Sequence, residues 1–145
     1  MADQMDKKAI SCPKGTYAVV QDDLTINVIL IGPFSIDNAS GVIEAINRIL
    51  SCDRSLYWKY LIDVSDQTVS TPEAESKFQE FLRFHHWIST LTGNVCKVAV
   101  VFRPSLKALP RAQLTRIFDN SDIDFRIFES KEQAISWIDA ANIGV

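Results

Sequence analysis

The stretch LIDVSDQTVSTPEAE, residues 61–75, decides how this chain is read. An apolar run gives way to a cluster of Asp, Ser and Thr, and a helix then opens with Thr71 as N-cap and Pro72 in the first helical position. There the missing proline N–H costs nothing, because the first N–H groups of a helix have no partner inside it. A buried strand that enters a helix through a polar corner is half of a β-α crossover unit.

The same order recurs on both sides. Upstream, Gly32 and Pro33 end LTINVILIG, and Ser35 is placed to cap a helix to about Leu50. Its Ala39, Val42, Ile43, Ile46, Ile49 and Leu50 fall at helical spacing, with Glu44, Asn47 and Arg48 opposite. Downstream, KVAVVF at 97–102 is a strand followed by Pro104 and a helical stretch to about Phe118, with Pro110 interrupting its start. DFRIFE at 124–129 is the last strand, and Ser130 with Gln133 forms a capping box for the final helix. Toward the N-terminus, TYAVVQ and LTINVILIG flank Asp22 and Asp23 and read as a β-hairpin. The order ββαβαβαβα predicts an α/β domain over residues 15–145: a hairpin, then three β-α crossovers, in a mostly parallel sheet flanked by helices. Residues 1–14 read as a flexible polar tail.

Bulk properties narrow the role. A chain of 145 residues builds one self-sufficient core, burying roughly 68–70% of its unfolded surface. The formal charge is −3, and no stripe of Lys and Arg interleaves with aromatics, so no nucleic-acid partner is expected. The longest apolar run, VILI at 28–31, is far short of the ~20 residues of a membrane span. Cys12, Cys52 and Cys96 form no CxxC or Cys/His ligand pattern, and the N-terminus lacks a secretory pattern. A cytoplasmic protein without metal or cofactor is the expectation. GxGxxG, Walker, HExxH and GxSxG motifs are absent from the sequence, which lowers the expectation of an enzyme.

The final strand and helix, FRIFESKEQAISWI, resemble the ending of the SpoIIAA-like group of the STAS domains, with Arg126, Phe128, Glu129, Ala134, Trp137 and Ile138 in the family's pattern. The LIDV strand with Asp63, and KVAVVF followed by Pro104, are similar as well, so the resemblance runs over about 16–140. It implies an α/β fold of the anti-sigma-factor antagonist type, also likened to lipid-binding domains. In the antagonists a Ser or Thr after Asp, at the start of the helix following the third strand, is phosphorylated and controls binding to a partner kinase. Where they carry Asp, two hydroxyl residues and Gly, this chain carries Asp66, Gln67, Thr68, Val69, Ser70 and Thr71.

Three sets of candidate residues follow. Ser65, Thr68, Ser70 and Thr71 are candidates for a modification switch, set against the plain reading that Thr71 caps a helix and the others solvate a loop. Phe34, Asp63, Asp66 and Arg103 would share a ligand or partner rim beyond the C-terminal strand ends, although an Arg there often pairs with an acid. In the helix KFQEFLRFHHWISTL, Phe84 and Trp87 stand at the margin of a wide apolar arc and are candidates for a dimer or partner interface. His85 lies inside that arc and His86 at its edge, each read as a hydrogen-bonded core or boundary histidine before a catalytic one. The leading expectation is a non-catalytic regulatory module that binds a protein partner. A carrier of a small apolar, lipid-like ligand comes second, and an enzyme using His85 or His86 third.

Overall fold

The computed structural model describes residues 7–11, 17–22, 25–52, 57–65, 67–93 and 95–141. One six-stranded sheet runs in chain order: β1 (Lys7–Ser11), β2 (Tyr17–Asp22), β3 (Thr25–Leu30), β4 (Tyr57–Val64), β5 (Val95–Val101) and β6 (Phe125–Phe128). The first three strands pair antiparallel and the last four pair parallel. Helices α1 (Ile36–Cys52), α2 (Pro72–Thr92) and α3 (Ala108–Asp119) form the three crossovers, and α4 (Lys131–Ala141) follows β6. The expected hairpin and three crossovers are therefore present. Lys7–Ser11, read as part of a polar tail, instead pairs along β2. Asp23, in the hairpin turn, lies outside the described residues.

Sequential parallel strands joined by right-handed crossovers place their helices on one sheet face, and here α1 packs on α2 and α2 on α3. The main core lies between these helices and the alternating side chains Val28, Leu30, Tyr60, Ile62, Val98 and Val100. Phe78 is its aromatic centre, with edge-on contacts to Phe34 and Phe118 and a stacked contact to Phe81. On the opposite face α4 alone builds a smaller core, from Leu61, Ala99, Val101, Ala134 and Ile138, with Phe128 and Trp137 at its edge. Its contacts fall on β4, β5 and β6.

Local signals set the helix ends. Ser35 Oγ accepts the Asn38 N–H at 3.3 Å, and Thr71 Oγ1 accepts that of Ala74 at 3.2 Å. Gly93 closes α2 at φ 77°, a left-handed position that suits glycine. Pro110 falls in the first turn of α3, where it breaks no helical bond. Ser130 Oγ accepts from the Gln133 N–H, while the Gln133 side chain reaches back to the Glu129 N–H. Between helices, Arg116 forks onto the buried Glu75 carboxylate, with bonds of 2.8 and 3.1 Å from Nη2, and ties α2 to α3.

Because Phe78 touches three other rings inside a closed core, Phe78→Ala is expected to destabilise the fold by about 3–5 kcal/mol. Urea unfolding of the two proteins measures it.

Candidate functional site

The polar corner after β4 crosses the C-terminal ends of the parallel strands as a strap. Register aligns Leu30 with Val64, so the chain leaving β4 emerges beside the chain leaving β3. Ser65 N–H donates to Leu30 O at 3.0 Å, Ser65 Oγ to Ile31 O at 2.6 Å, and Thr68 Oγ1 to Leu30 O at 3.1 Å. Further along, Phe34 and Ser70 form a parallel bridge, with Phe34 N–H donating to Val69 O and Thr71 N–H to Phe34 O. From α3, Gln113 grips the same backbone at both ends: its Oε1 accepts the Ser70 N–H at 2.8 Å and its Nε2 donates to Ser70 O at 3.0 Å.

This geometry divides the candidate switch residues. Thr68 and Ser70 are buried, and Thr71 is exposed as the helix cap. Ser65 is half-buried and bonded to the neighbouring strand end. Ser70 Oγ is buried without a hydrogen-bond partner. The strap thus turns hydroxyls inward and shows apolar surface outward, through Val69 and the adjacent Ile31 and Ile36.

The candidate rim is also altered. Phe34 is only 1% exposed and packs edge-on against Phe78. It belongs to the core and not to a ligand rim, because the bridge to Ser70 pulls its backbone under the strap. Asp63 and Arg103 meet as a two-pronged ion pair, with Arg103 Nη2 3.1 Å from Asp63 Oδ2. The carboxylate holds the Arg103 guanidinium above its usual pKa, through a hydrogen bond first and charge second. Asp66 lies outside the described residues. Arg111, from α3, donates to the Arg103 and Leu106 carbonyls and lies over the Phe102 ring. The plain alternative, an Arg paired with an acid, describes Arg103.

Within α2, Ala74, Phe78, Phe81 and Leu82 face the core, while Leu91 is exposed together with Phe84 and Trp87. The rings of Phe84 and Trp87 lie 6.0 Å apart. His85 Nδ1 and the Tyr60 hydroxyl lie 3.1 Å apart, and the imidazole packs on Phe81 at 4.4 Å. Burial lowers the His85 pKa to about 4 and raises that of Tyr60, helped by neighbouring Cys96. The Cys96 thiol is itself pushed up to about 12 by burial and by Asp124. At neutral pH all three groups are uncharged, which suits a packed hydrogen bond. His86 is half-buried, and its carbonyl accepts the Thr90 hydroxyl.

Gln113 carried no signal in the sequence. A Gln on a helix becomes meaningful only once folding sets it opposite the N–H and C=O of one residue 43 positions away. Among the described residues no helix is long and apolar enough to cross a membrane.

The lowered His85 pKa fixes a pH dependence. Neutral His85 contributes stability that is fully present above its ordinary value of 6.5 and is lost as pH falls from there toward about 4. The loss is expected to reach on the order of 2–3 kcal/mol. His85→Gln, which keeps a partner for Tyr60, is expected to flatten that slope when urea midpoints are followed across the window.

Against known proteins, a scan of family models and a search of curated proteins return no match to this chain.

Proposed function

We propose that this chain is a non-catalytic, STAS-like interaction module that pairs with a second copy of itself through the outer face of α2. One observation carries the reading: Phe84, Trp87 and Leu91 are 58%, 56% and 63% exposed and occupy one stripe of the helix. Their spacing of three and then four residues is that of a helix-packing seam. It is also self-complementary, since a two-fold axis between Trp87 and Ile88 sets Phe84 of one copy against Leu91 of the other in an antiparallel pair. Aromatic anchors of this size dominate interface energetics.

The strap supplies the regulatory end of this reading. With Thr68 and Ser70 buried, modification falls to Thr71 and Ser65; phosphate on Thr71 would sit at the positive end of the α2 dipole. A carrier of apolar ligands has less support, because Phe34, Phe78, Phe81 and Phe118 pack on one another behind α2 and fill that volume. An enzyme acting through His85 would need substrate to displace the Tyr60 contact inside the core.

Sedimentation velocity over a concentration series tests the pairing. The wild type is expected to dimerise, and Trp87→Ala combined with Phe84→Ala to weaken the dimer at least ten-fold. Surface changes of this kind alter fold stability by only about 0.5 kcal/mol, so the variant stays folded. A wild type that stays monomeric throughout, or a variant that dimerises equally well, overturns the reading.

A further inference from the structure

The buried side chains of α2, Ala74, Glu75, Phe78, Phe81 and Leu82, all lie in its first half. Across residues 83–92 every position is half-buried or exposed, and this is the half that carries Phe84, Trp87 and Leu91. Its polar tethers among the described residues are Arg83, whose Nε donates to the Asn120 carbonyl at 2.8 Å, and His85, whose Nδ1 lies 3.1 Å from the Tyr60 hydroxyl. A helical segment this short is marginal in water by itself, and regions with few buried contacts open at the lowest free energy. The second half of α2 therefore depends on its tethers, and one of them can change charge.

The surroundings of His85 favour the neutral ring. Phe81 packs on it from α2, and Tyr60 meets it edge-on from β4. Cys96 of β5 lies near Tyr60. Lys59 and Lys97, beside these two in sequence, stand on the α4 face instead. On α1, Glu44 and Arg48 pair with each other at the surface, and on α3 Arg116 is held by Glu75. Along α2 itself, Glu80 and Arg83 are exposed and His86 is half-buried. Burial alone lowers the His85 pKa, so among the described residues no carboxylate stands against the ring to stabilise an imidazolium. A neutral ring offers Nδ1 as acceptor to the Tyr60 hydroxyl, whereas a protonated ring can only donate.

We propose that the second half of α2 is an acid-release element: protonating His85 unseats it from the sheet while β4 and the first half of the helix stay folded. The neutral ring holds the segment above pH 6.5, and the hold is lost as pH falls toward about 4. Because the seam residues sit on the released segment, the pairing of two copies weakens with it. Only that consequence rests on the function proposed above; the release does not.

Hydrogen exchange of the full chain at pH 7 and pH 4.5, corrected for the intrinsic effect of pH on amide exchange, tests the release. Amides of residues 86–91 are expected to exchange at least ten-fold faster than those of β4 at both pH values, and to lose at least a further ten-fold of protection at pH 4.5. His85→Gln, which can still accept from Tyr60 and has no charge to gain, is expected to keep its pH 7 protection to within about three-fold. Should that variant not fold, Tyr60→Phe serves, and about five-fold faster exchange of residues 86–91 is expected already at pH 7. Sedimentation velocity at the same two pH values reads the consequence: the wild-type dimer weakens at least ten-fold at pH 4.5, and the His85→Gln dimer does not. A chain that is monomeric at both refutes the pairing and leaves the release to be judged by exchange. Protection of residues 86–91 that equals that of β4, does not change with pH, falls equally in His85→Gln, or is unaltered in Tyr60→Phe overturns the proposal.

Discussion

The parallel pairing of β3 with β4, sealed at its upper end by the strap, is the constraint on which the rest of the structure depends. It brings Leu30 level with Val64, and that alignment lets Ser65 and Thr68 satisfy the carbonyls that β3 would otherwise leave open at its end. A buried carbonyl without a donor costs about 1–3 kcal/mol, so these hydroxyls are structural before they are anything else. With the strap in place, Thr71 is positioned to start α2, Phe34 is drawn under it into the core, and Gln113 links the corner to α3. One register therefore sets two crossovers and the outward face of α2.

The two faces of the sheet are finished unequally, and the proposed pairing comes from that inequality. Three helices cover one face, with a contact chain of phenyl rings at its centre. The middle helix is long, 21 residues, and its second half projects large apolar side chains past the sheet it covers. On the other face a single 11-residue helix covers part of the sheet, and a charged row that includes Lys59 borders the part beside it. The surplus apolar surface on the outer side of α2 is costly to a monomer.

Local chemistry was readable from the sequence, and long-range pairing was not. Ser35, Thr71 and Ser130 announce helix starts through short-range hydrogen bonds, and the consecutive apolar residues of KVAVVF announce a strand covered on both faces; VILI reads the same way, yet it is covered on one face only, with Ile31 44% exposed. The large residues of the last strand and helix meet as neighbours: Phe128 lies 5.7 Å from Trp137, and Arg126 stands over the same indole. By contrast KKAIS has no pattern of its own and becomes β1 only because β2 offers an edge. Phe34 after a turn read as rim, and only its bridge to Ser70 reveals it as core. Glu75 and Arg116, 41 residues apart, likewise acquire meaning only through the crossovers.

Amide hydrogen exchange at single-residue resolution tests the strap most directly. If register and hydroxyl bonding close the corner as described, the amides of Phe34, Ser65, Ser70 and Thr71 exchange as slowly as those of β4, since each donates to a fixed acceptor. Exchange of these four at the rate of open loop, while β4 stays protected, would contradict the closed corner and the placement of α2 that follows from it.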